Sequence, residues 1–284
     1  MTTSADIAVK VTGLHKHYGD RHAVDGIDLT VRVGQVFALL GPNGAGKTTT
    51  VEVLEGYRRR SAGEVSVLGH DPGHPTREWR SRIGIVAQST SDLSELTVSE
   101  VVRHFAGFYP RARRAEEVIE QVGLSEDAKT RARALSGGRR RRLDVALGIV
   151  GDPDLLFLDE PTTGFDPEAR RAFWSLVHGL AAGGTTIVLT THYLDEVEAL
   201  ADELAVIDHG RIIATGTPGD LAGRASASAT VRWREPGGGV RTEVTSTPTA
   251  FTAHLAARLG GEATDLTITR PTLEDTYLRL LGER

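Results

Sequence analysis

Three short stretches hold the residues best suited to chemistry. Gly41-Pro42-Asn43-Gly44-Ala45-Gly46-Lys47-Thr48 fits the spacing G-x-x-x-x-G-K-[ST]. Glycines so spaced let successive backbone N–H groups turn toward phosphate oxygens, and the N-terminus of a following helix adds partial positive charge. Lys47 is then placed for the β- and γ-phosphates of a nucleotide and Thr48 for Mg²⁺. The candidate nucleotide-binding set is Gly41, Asn43, Gly44, Ala45, Gly46, Lys47, Thr48 and Thr49. The competing reading, a glycine-rich turn with a solvated lysine, is weakened by the apolar run before it and the helix-compatible run after it.

Downstream, Leu155, Leu156, Phe157 and Leu158 run into Asp159-Glu160. This is the pattern of a buried strand delivering two carboxylates to one edge of a sheet. Asp159 can hold Mg²⁺ through its water shell, while Glu160, on the opposite side, can orient or deprotonate an attacking water. Taken alone, Asp159 could simply begin a turn before Pro161. The third stretch is Leu135-Ser136-Gly137-Gly138-Arg139, where Ser136-Gly137-Gly138 can cap a helix running from Arg139 toward Ile149 and leave N–H groups free for an anion.

These groups need a scaffold. Short β-rich runs at 7–11 and 27–31 predict a small antiparallel layer. Val36 to Leu40 predicts a strand and Thr49 to Leu54 a helix, so the first motif reads as strand, glycine loop, helix. Apolar residues at helical spacing between Thr97 and Leu124 predict a helical insertion at about 89–150, with Thr97-Val98-Ser99-Glu100 opening a helix by capping-like chemistry. Runs at 155–158 and 186–190 alternate with helical stretches at 167–181 and 194–201. Alternation of this kind implies a mostly parallel sheet with ligand loops at its carboxyl edge, an α/β fold.

After Pro218 the composition shifts to Ala, Ser, Thr and Gly. A hairpin at 229–234 and 240–245, a helix at 249–259, a strand at 264–268 and a closing helical stripe of Leu273, Tyr277, Leu280 and Leu281 predict a small α+β domain over 221–284, after a first domain of 1–220.

Composition narrows the class. The 284 residues are 39% hydrophobic and 25% charged, an ordinary globular balance, and the formal charge of −5 gives no global pull toward nucleic acid or an anionic membrane. Of 33 basic residues four are Lys and 29 are Arg, so arginine runs such as Arg139 to Arg142 read as a solvated helix face in an arginine-biased chain. The absence of Cys excludes disulfides and thiol catalysis, and a reducing compartment is the default. No stretch approaches the roughly 18–20 apolar residues that span a bilayer, so any service to a membrane is expected from one side of it.

With Leu135 to Arg139 lying between the two phosphate-type motifs, the chain resembles the ATP-binding subunits of ATP-binding cassette (ABC) transporters over about residues 7–222. Arg139 departs from the more usual Gln, one position beyond the Ser-Gly-Gly that makes the phosphate contacts. The resemblance implies a P-loop cassette that binds ATP and Mg²⁺, and a head-to-tail homodimer. Ser136, Gly137 and Gly138 of one copy would meet the γ-phosphate held by Lys47 of the other. It further implies that Tyr18 stacks on adenine, that Gln88 belongs to the catalytic and Mg²⁺ set with Thr48 and Asp159, and that Asp166 of Gly164-Phe165-Asp166 crosses the dimer seam. Glu160 and His192 complete the catalytic set.

An integral membrane permease is the implied partner, with Gln88 and 89–124 as its docking surface, at the cytoplasmic face of the membrane and with no nucleic acid. Pro271 to Leu278 looks like the ending of drug- and antibiotic-export ATPase subunits, the type that includes the daunorubicin exporters, so export is expected. The alternatives are an importer subunit, a soluble ABC ATPase acting on nucleic acid or ribosomes, and a non-hydrolysing regulator. No long coiled-coil insertion or second cassette supports the soluble ATPase, and Lys47, Asp159, Glu160 and His192 together argue against the regulator.

Overall fold

The computed structural model describes residues 6–86, 95–222 and 228–282. The chain forms two compact units, Met1–Thr215 and Gly216–Arg284, a division five residues earlier than the composition shift predicts.

In chain order the first unit contains β1 (Ile7–Tyr18), β2 (Arg21–Arg32), β3 (Val36–Leu40), α1 (Lys47–Leu54), β4 (Ala62–Val67), α2 (Arg77–Ser81), β5 (Ile83–Val86) and α3 (Val98–Ala106). It continues through α4 (Ala115–Gln121), α5 (Gly137–Ile149), β6 (Leu155–Asp159), α6 (Pro167–Ala182), β7 (Thr186–Thr191), α7 (Leu194–Leu200), β8 (Glu203–Asp208) and β9 (Arg211–Gly216), which ends at the boundary.

The central sheet has the order β5-β6-β7-β3-β8-β9, and β5, β6, β7, β3 and β8 pair in parallel. Strands β3, β6 and β7 are buried at every residue, as expected where a parallel sheet is covered on both faces and its strands read as unbroken apolar runs. Register does the positioning. Leu40 pairs with Thr191 and Asp159 with Thr190, so the carboxyl ends of β3, β6 and β7 stop abreast. The glycine loop, Asp159-Glu160 and Thr191-His192 therefore leave the sheet at one edge.

The predicted antiparallel layer is a sheet of order β2-β1-β4. Its hairpin is longer than the two short runs foretold, because β1 extends to Tyr18, which pairs with Arg21 across the turn. The helical insertion holds α3, α4 and α5, with α3 packed on both others. Thr97 and Glu100 form the predicted capping box: Thr97 Oγ1 accepts from the Glu100 N–H at 3.3 Å, and Glu100 Oε2 accepts from the Thr97 N–H at 2.8 Å.

One sequence expectation is corrected. The run Arg139 to Arg142 is not simply a solvated face, since Arg141 is 8% exposed. A guanidinium is buried only where hydrogen bonds and counter-charges offset its desolvation. Here Arg141 donates to backbone carbonyls and lies near Asp144.

The second unit holds α8 (Pro218–Leu221), β10 (Ala229–Arg234), β11 (Val240–Thr245), α9 (Pro248–Leu259), β12 (Thr264–Thr269) and α10 (Leu273–Gly282). Its antiparallel sheet has the order β11-β10-β12. Val231 and Trp233 of β10 meet Leu255 of α9 in a small core. In α10 the fully buried pair is Leu273 and Thr276, while Tyr277, Leu280 and Leu281 are half-buried, so the expected apolar stripe is shifted by a residue at its centre.

Candidate functional site

The glycine loop joins β3 to α1, and two of its glycines are demanded by close approach. A Cβ on Gly41 would stand 2.2 Å from the Ile207 carbonyl oxygen, and one on Gly46 would stand 2.5 Å from that of Ala23. Gly46 also has φ +111°, a conformation a side chain disfavours. Helix α1 opens after Gly46 with no side-chain cap, so its first-turn N–H groups remain for an anion. Lys47 is 4% exposed. Its ammonium donates to the carbonyls of Gly41 at 2.8 Å and Pro42 at 3.2 Å, and lies 3.4 Å from Glu160 Oε1.

Asp159 closes β6 beside this loop. Thr48 Oγ1 donates to Asp159 Oδ2 at 3.2 Å, and Thr190 Oγ1 donates to Oδ1. Glu160 has left the strand with φ +45°. Its N–H donates to both the carbonyl (3.1 Å) and Oγ1 (3.0 Å) of Thr190, and its Oε1 lies 3.5 Å from His192 Nδ1. Thr190, which no motif singled out, thus tethers both acids. The only sequence signal for it is its place at the end of the β-run before His192.

Together Arg21, Ala23, Asn43, Gly44, Gly46, Lys47, Thr48, Thr49 and Glu160 line a cleft of about 300 Å³. A cleft with backbone donors, a buried ammonium and adjacent carboxylates can hold a polyphosphate. Thr48 and Asp159 offer neighbouring hard oxygen donors, which fit Mg²⁺. Among the described residues no cluster of three or more His, Cys, Asp or Glu could hold a metal alone. A cation at Thr48 and Asp159 therefore has to share itself with phosphate oxygens or water.

The remaining predicted residues divide between other places. Ser136, Gly137, Gly138 and Asp166 line a separate concavity of about 420 Å³ with Gly164 and Phe165. Ser136 occupies the N-cap position of α5, but its side chain makes no cap hydrogen bond. Asp166 Oδ1 caps α6 by accepting from the Ala169 N–H at 2.8 Å, a local role the sequence reading did not assign. Tyr18 is 42% exposed, with Lys16 Nζ 4.9 Å and the Arg58 guanidinium 5.7 Å from its ring centroid. From the same hairpin Arg21 and Ala23, not foreseen, reach the cleft wall. Gln88 lies outside the described residues.

A phosphate-type loop, a paired-acid strand end and a Ser-Gly-Gly helix start on one α/β scaffold define an ATP-hydrolysing cassette. The chain belongs to the ATP-binding subunits of ABC transporters: the family described as ABC transporter matches residues 24–163, and relatives align over nearly the whole chain. One of them is Daunorubicin resistance ATP-binding protein DrrA3 of Streptomyces coeruleorubidus, 39% identical over 98% of this chain and 97% of that protein. Nod factor export ATP-binding protein I of Ralstonia nicotianae is 47% identical over 75% of this chain and 68% of that one. Among solved structures, cbiO1 from Clostridium perfringens, part of the ABC transporter complex cbiONQ, superposes with a TM-score of 0.69 at 29% identity, covering 76% of this chain and 90% of that chain.

Subunits of this family bind ATP, pair with one another and power membrane components. Among the described residues, no helix of this chain is long and apolar enough to cross a membrane.

Proposed function

We propose that this subunit hydrolyses Mg²⁺-ATP in a head-to-tail pair of its own copies at the cytoplasmic face of a membrane, and so drives export of a drug, antibiotic or similar hydrophobic compound through an integral permease. The observation that carries the chemistry is the convergence of Lys47, Thr48, Asp159, Glu160 and His192 at the shared carboxyl edge of β3, β6 and β7. Gly41 to Thr49 would cradle the phosphates, with Lys47 on the outer two. Thr48 and Asp159 would hold Mg²⁺, which when bound neutralises charge on the phosphate oxygens. Glu160 would take the proton of the attacking water, and His192 would donate to the γ-phosphate. Tyr18 would stack on adenine and Gln88 would join the metal side.

The second concavity supports the pairing. Ser136, Gly137, Gly138 and Asp166 lie outside the cleft that Lys47 lines, as expected if they serve a neighbouring copy's nucleotide. Each γ-phosphate would then bridge two subunits, and hydrolysis would remove the bridge, so that the chemistry times a movement. Export, rather than import, is favoured by the daunorubicin-resistance and Nod-factor-export relatives and by the Pro271 to Leu278 ending.

The test is reconstitution of the subunit with its permease in vesicles. Mg²⁺-dependent phosphate release coupled to expulsion of an anthracycline supports the reading. Phosphate release coupled only to uptake in the presence of a separate binding protein would turn it to import, and no phosphate release would sink the catalytic assignment.

A further inference from the structure

Arg141 is buried on α5 four residues after Gly137, the residue that opens that helix. Its Nη2 donates to the carbonyl of Asp159 at 2.8 Å and its Nε donates to the carbonyl of Pro161 at 3.1 Å. These two carbonyls flank Glu160, the residue with φ +45°. One planar guanidinium therefore grips the backbone on both sides of the strained residue. The charged groups facing it are Asp144, with Oδ2 4.0 Å from Nη1, Asp159, and Glu196, which is fully buried. Burial alone pushes the Arg141 guanidinium toward neutrality, and these three carboxyl groups oppose that push.

We propose that Arg141 is a positioning residue for Glu160, and that through it the helix begun by Ser136-Gly137-Gly138 sets the base of the same subunit. The inference rests on the head-to-tail reading above. In such a pair the start of α5 meets the neighbouring copy's nucleotide, whereas Glu160 acts on the subunit's own. Arg141 then connects the two ATP sites by a rigid path within one chain: helix start, guanidinium, carbonyls, carboxylate. The fork geometry matters because a guanidinium donates in two directions from one plane, which an ammonium on a flexible stem does not reproduce.

Arg141→Lys keeps the positive charge facing Asp144, Asp159 and Glu196 but cannot hold both carbonyls in the same way; Arg141→Met removes the charge as well. Turnover, ATP affinity and the Hill coefficient for ATP are measured for the dimeric subunit with its permease, alone and on the Glu160→Gln background. In Arg141→Lys, kcat is expected to fall about 10- to 100-fold, the scale of a misplaced catalytic group, while ATP affinity stays within about 2-fold. The Hill coefficient is expected to fall toward 1. On the Glu160→Gln background the same substitution adds little further loss, because the group being positioned is already inert.

Wild-type turnover in Arg141→Lys, or a loss that multiplies in full on Glu160→Gln, overturns the proposal while leaving the catalytic reading intact. Absence of phosphate release from the unmodified protein overturns both. Should Arg141→Met fail to fold, Arg141→Lys carries the test by itself.

Discussion

Lys47 Nζ stands 3.4 Å from Glu160 Oε1, joining the residue proposed to hold the outer phosphates to the residue proposed to activate water. The two can be separated by substitution. Glu160→Gln removes the base but leaves an uncharged isostere beside Lys47, so ATP binding is expected to persist while turnover falls about 100- to 10,000-fold, the range for general-base catalysis. An ATP-bound dimer should accumulate, detectable by size-exclusion chromatography. Hydrolysis at the unmodified rate would refute the base assignment. Lys47→Ala should instead lose nucleotide affinity, read by equilibrium binding.

Ser136 stands exposed at the start of α5 with no cap bond of its own. Ser136→Arg puts bulk and charge into the surface proposed to meet the second copy. ATP binding to the single subunit should be unchanged, because Gly41 to Thr49 is untouched, whereas ATP-induced pairing should disappear. Sedimentation of the variant with ATP on the Glu160→Gln background decides it: continued pairing counts against the composite site.

Gly46→Ala tests the loop directly. The added methyl meets the Ala23 carbonyl at 2.5 Å and the backbone sits at φ +111°, so the loop must shift. Strain of about 1–3 kcal/mol is expected, with nucleotide binding lost before the fold is. Titration with a fluorescent ATP analogue, alongside thermal unfolding, separates the two effects.

Glu55 caps the C-terminal end of α1. Burial, then the charges of Asp159 and Glu52, raise its carboxyl from 4.5 to about 8. The unfolded chain releases this proton near 4.5 and the folded chain holds it to about 8, so stability falls as pH rises between those values and levels off above them. Glu55→Gln should flatten that slope and stabilise the protein at pH 8 by on the order of 2–4 kcal/mol. Urea unfolding from pH 5 to 9 measures it.

Much of this site was legible in the sequence because its parts are local. Gly41 to Thr48 and Leu155 to Glu160 each carry their own spacing, and the apolar runs of β3, β6 and β7 announce a buried parallel sheet. Thr97 and Glu100 likewise satisfy each other within three residues. What escaped is non-local. Arg141 looks like its arginine neighbours until the fold places the carbonyls of Asp159 and Pro161, 18 and 20 residues away, against it. Arg21 and Ala23 reach the cleft only because the β1–β2 hairpin is longer than its apolar pattern, and Thr190 gains meaning from its register with Asp159.

The left-handed backbone at Glu160 sets a trap for anyone improving this protein. Glycine or asparagine tolerates φ +45° more readily than glutamate and would relieve about 1 kcal/mol of local tension, but either would take the carboxylate from beside the buried Lys47 ammonium, a loss of comparable or larger size. Strain relief and loss of the counter-charge pull melting temperature in opposite directions, so a heat-resistance screen is blind to whether a variant still turns over its fuel.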